Sequence, residues 1–171
     1  MQVPQLPFNL PDWAKCFAWV DLSPSLKLHV LALKYPRWEG AFYPIFLDQN
    51  NKPLFEFPKD LSLATNDGRI WHSCPERVYF CERTLQIVVD HIWAGDHPRP
   101  AGAERLIFSP PNFISETIES RRASYGPDNR DILGDIPPKL STLSEEFKER
   151  VVFIFENDDN RSKVKIEPSW P

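Results

Sequence analysis

The sequence predicts an α+β domain in which N-terminal antiparallel strands pack on a central helix, followed by a C-terminal helix and a β-hairpin. Three observations carry this reading. First, within His72 to Trp93 the residues Val78, Cys81, Leu85, Val88 and Ile92 recur at steps of three and four, which lays them on one stripe of a helix. Phe80, Thr84, Ile87 and His91 form a second stripe on roughly the opposite side, so the helix is expected between two layers. Second, Ala41 to Asp48 and Leu54 to Phe57 are aromatic-rich runs flanking Gln49-Asn50-Asn51-Lys52-Pro53, the pattern of a hairpin. Third, 18 Pro against six Gly predict short elements joined by stiff connections, hence a loop-rich fold.

Taken in order, Pro4, Pro7 and Pro11 make residues 1 to 11 an extended arm. Cys16 to Leu22 is aromatic and β-branched enough for a strand. Leu26 to Tyr35 suits helix or strand; read as strand, it joins the hairpin into an antiparallel meander. Pro44 marks its strand as an edge or a bulge, because proline donates nothing to the ladder. Asn66-Asp67-Gly68 turns the chain into the central helix, which Ser73 caps, Pro75 starts and Gly95 ends. Beyond a rigid loop containing Pro98 and Pro100, Arg105 to Phe108 is a short strand. Ser109-Pro110-Pro111 opens a further helix to about Arg122, with Phe113, Ile114, Thr117 and Ile118 as its apolar face. Residues 124 to 139 form a long loop, Ser141 to Arg150 a short helix, and Val151 to Phe155 a strand that Asn157-Asp158-Asp159-Asn160 returns into Lys163 to Ile166. Residues 168 to 171 are a tail, and nothing marks a second domain within 1 to 171.

A net charge of -4 argues against general binding to nucleic acid or anionic membranes, and no span is apolar enough for a transmembrane helix. Three Cys, at 16, 74 and 81, neither pair evenly nor form a C-x-x-C; free thiols in the cytoplasm are the expectation.

Two constellations are candidates for catalysis. Cys74 at the start of the central helix would sit where the dipole favours a thiolate, with His72 two residues away as a base. The echo Asp90-His91 and Asp96-His97 places two His beside carboxylates near the helix end, where an acid–base pair could be tuned. The plainer accounts are preferred for both: a small apolar Cys at a helix start, and solvated acids beside a capping His. A zinc set drawn from His72, Cys74, Cys81, His91 and His97 lacks any paired short spacing, and no cofactor is expected. Glu156, Asp158 and Asp159 lack the pattern of a calcium loop.

The leading functional reading is therefore a protein-interaction module that docks on a protein partner through aromatic, proline-stiffened loops; six Trp supply much contact area. The alternative is a thiol-dependent hydrolase or transferase using Cys74 with His72, His91 or His97.

Overall fold

A computed structural model describes residues 9–33, 41–71, 75–93, 101–123, 138–148, 151–155 and 164–165. The described chain is mostly β, and the predicted central helix is absent: the two helices, α1 (Leu61–Thr65) and α2 (Glu145–Lys148), are five and four residues long. The strands form two antiparallel sheets, one of three and one of six strands. Two compact units divide the chain, one comprising Met1–Cys74 with Ser109–Ile114 and the other Pro75–Phe108 with Ser115–Pro171.

The first unit holds the meander β1 (Ala14–Ser23), β2 (Leu26–Leu33) and β3 (Phe42–Asp48), so residues 26 to 33 are strand. One face of β2 and β3 presents Leu31, Leu33, Tyr43, Ile45 and Leu47, and Trp13, Ala14, Ala64 of α1 and Ile70 close over it as a core. Pro44 lies opposite Val30 in an edge strand, where its missing N–H interrupts nothing. The expected hairpin is only half formed. Asp48 holds the turn by accepting from the backbone N–H of Asn50 and Lys52, and Asn51 takes a left-handed φ of 61°. After one bridge, Leu47 to Pro53, the chain leaves the ladder. Phe57 instead stacks on Trp13 at 5.3 Å between ring centres, and Phe55 packs edge-on against Tyr43. Rings that pack sideways into a core have no need of a strand to place them.

The second unit is the six-stranded sheet, in the order β7-β6-β5-β4-β8-β9. Residues Pro75–Cys81 (β4) and Gln86–Trp93 (β5) are a hairpin where one long helix was expected. Glu82 to Leu85 make the turn, and Leu85 supplies its left-handed residue at φ 56°. The reason is local. Val78-Tyr79-Phe80 and Ile87-Val88-Val89 are β-branched and aromatic, and a strand covered on both faces is apolar at every position, which a helical template also matches.

The remaining strands are β6 (Gly102–Phe108), β7 (Ser115–Arg122), β8 (Val151–Phe155) and β9 (Val164–Lys165). The predicted helix from Ser109-Pro110-Pro111 to about Arg122 is thus corrected as well: the β-branched Thr117 and Ile118 favour extended backbone, and Thr117 pairs with Leu106 of β6. The final strand pair, β8 with β9, stands close to its predicted position.

Candidate functional site

Of the residues singled out for chemistry, His72, Cys74, Asp96 and His97 lie outside the described residues. The helix whose positive pole was to activate Cys74 is replaced by a strand beginning at Pro75. His91 is described and buried, 1 % exposed, in β5. Neighbours in a strand point to opposite faces, so Asp90 and His91 are separated by the sheet itself and form no acid–base pair. Cys81 and His91 sit at opposite ends of the β4–β5 hairpin, opposite Gln86 and Pro75 respectively. Among the described residues no three His, Cys, Asp or Glu side chains are grouped so as to hold a metal ion.

The structure instead assembles a polar cluster that periodicity did not reveal. Register puts Asp90 of β5, Arg105 of β6 and Glu119 of β7 in line across one face of the sheet. Arg105 donates to both Asp90 carboxylate oxygens, from Nε at 2.6 Å and Nη2 at 2.9 Å, the forked geometry that makes arginine pairs strong. Burial pulls the Arg105 pKa down, but the hydrogen bonds and charge of Asp90 outweigh it and leave the guanidinium above its usual value. The third nitrogen, Nη1, donates to the Ser141 carbonyl at 2.5 Å. Glu119 accepts from the Ser141 backbone N–H at 2.9 Å and from its hydroxyl. Burial opposes the hydroxyl bond, yet together with the backbone bond and Arg121 the Ser141 hydroxyl holds the Glu119 carboxyl below the ordinary glutamate range. Residues 138 to 148 are thereby strapped over this face, with Leu143 and Phe147 packed on Tyr79 and Val88. Arg83 and Glu146 add an exposed ion pair at the end of the strap. Every charged group here has a protein partner, so the cluster is an anchor rather than a receptive site.

The other polar element at this end of the sheet is β7. It is eight residues long, stands at the end of the sheet and, among the described residues, pairs with β6 alone. Glu116, Thr117, Ile118, Ser120, Arg121 and Arg122 are all exposed, so both faces of the strand present side chains to solvent. Ile118, 47 % exposed, occupies a bulge between the Arg105–Glu119 and Leu106–Thr117 pairs. Because of that bulge, Glu116, Glu119 and Arg121 share one face while Ser115, Thr117, Ser120 and Arg122 share the other. The sequence signal was present, in two β-branched residues within Ser-Glu-Thr-Ile-Glu-Ser, but the preceding Ser-Pro-Pro imitated a helix start.

The tryptophans point elsewhere than expected. Trp13 and Trp71 are buried and Trp19 is half-buried, while Trp38 and Trp170 lie outside the described residues. Among the described residues the exposed large apolar side chains are aliphatic: Leu54, Leu63, Ile114 and Ile118. No helix among the described residues is long and apolar enough to cross a membrane. No protein family, no curated protein and no solved structure matches this chain.

Proposed function

We propose that the protein is an interaction module that takes an extended segment of a protein partner as an added strand along β7. One observation carries the reading: an eight-residue strand that, among the described residues, pairs with β6 alone and is exposed on both faces, with an isoleucine standing at its centre. Such an edge offers a row of backbone donors and acceptors that a second strand satisfies regardless of its side chains. The charges on β7 discourage indiscriminate pairing, and the side chains around Ile118 supply selectivity.

Selection of random displayed peptides on the folded protein tests this. Enriched peptides should be rich in β-branched residues and bind with 1:1 stoichiometry. Ile118→Lys should weaken them by about tenfold or more, since losing one buried aliphatic contact is worth roughly 1.5 kcal/mol or above. Leu63→Lys, on α1, should leave binding unchanged. Failure to enrich any peptide, or equal loss from both substitutions, contradicts the proposal.

A further inference from the structure

We infer that the partner strand is β7 of a second copy of this chain, the two edges pairing antiparallel about a two-fold axis. The inference rests on the edge-docking reading above and names its occupant. A symmetric antiparallel pair requires that residues facing each other across the seam point to the same side of the sheet. The bulge at Ile118 makes this restrictive, because it reverses the alternation halfway along the strand. With both copies carrying the bulge at the axis, the faces agree when Glu116 lies opposite Arg121, Thr117 opposite Ser120 and Ser115 opposite Arg122.

That register is also the one the charges select. It sets a carboxylate against a guanidinium twice, once on each side of the axis, on the face that already holds Glu119. A two-residue slip in one direction would put Glu116 opposite Glu119, a like-charge pair. Arg121 donates to Glu119 within its own chain from Nε at 2.9 Å, and its guanidinium carries further N–H donors that a second carboxylate can take. The Thr117–Ser120 pairs bring together two hydroxyl side chains that hydrogen-bond across strands. One strand per copy is a small contact beside the roughly 1,200–2,000 Å² of stable complexes, so the dimer is weak and governed by concentration.

Sedimentation velocity of the full chain, over a wide concentration range, reads the outcome. The wild type should shift from monomer to dimer as concentration rises. Glu116→Arg sets Arg against Arg twice and Arg121→Glu sets Glu against Glu twice, so each alone should lose about tenfold or more in association. An equimolar mixture of the two variants should regain it as heterodimer, because each then presents the charge the other lacks. Recovery in the mixture also shows that both variants are folded. A wild type that stays monomeric throughout, variants that dimerise as the wild type does, or a mixture without recovery each overturn the inference. If the wild type is monomeric but still binds selected peptides, self-pairing alone is lost; if it does neither, edge docking falls with it.

Discussion

Arg105 grips both carboxylate oxygens of Asp90 across the β5–β6 ladder, with the two side chains 7 % and 8 % exposed. The pair is therefore closed to solvent and to ligands, and its place in the account is structural. Asp90→Ala, which strands the guanidinium, should destabilise the protein by about 3–5 kcal/mol in urea unfolding. Asp90→Leu combined with Arg105→Met removes both charges and should cost much less than Asp90→Ala alone.

The same face predicts an acid-labile strap. Glu119 has a lowered pKa, from the Ser141 hydroxyl first and, against burial, the Ser141 backbone N–H and Arg121. A carboxyl depressed in the folded state stabilises docking above its unfolded pKa of about 4.3, and that contribution is lost as pH falls through the folded value. In carboxyl-resolved NMR titration, Glu119 should titrate below the ordinary glutamate range. Ser141→Ala should move Glu119 back up, and the amide of residue 141 should exchange faster.

His29 predicts a second pH dependence, in the first unit. It is 6 % exposed in β2, and its Nδ1 has no hydrogen-bond partner among the described residues. Burial lowers its pKa, Asp21 partly opposing and Lys27 assisting. The unfolded chain thus takes up the proton first as pH drops below about 6.5, and the folded state loses stability until the folded pKa is passed, at up to about 1.4 kcal/mol per pH unit. Urea midpoints at pH 7 and pH 5 should differ more for the wild type than for His29→Leu.

The N-terminal meander was legible because Ser-Pro-Ser and the residues around Pro36 punctuate its runs, and the Asn-Asn turn after Asp48 is spelled out in side chains that bind their own backbone. Residues 75 to 93 were not, since the turn at Glu82 to Leu85 contains neither Gly nor Pro and relies on a leucine at φ 56°. Val78 and Phe80, which helical spacing sets on opposite sides, share one face of β4, so both the period and the faces assigned to these residues are corrected. The anchor of Asp90, Arg105, Glu119 and Ser141 joins residues brought into line only by strand register, a relation no local pattern encodes.

Hydrogen exchange resolved to single amides along Ser115–Arg122 tests the open edge most directly. At low protein concentration, protected amides bonded to β6 should alternate with rapidly exchanging ones on the outer side, the alternation breaking at Ile118. Raising the concentration should slow the outer amides selectively. Uniform protection along the segment at every concentration, as a helix or an already covered strand would give, contradicts the account.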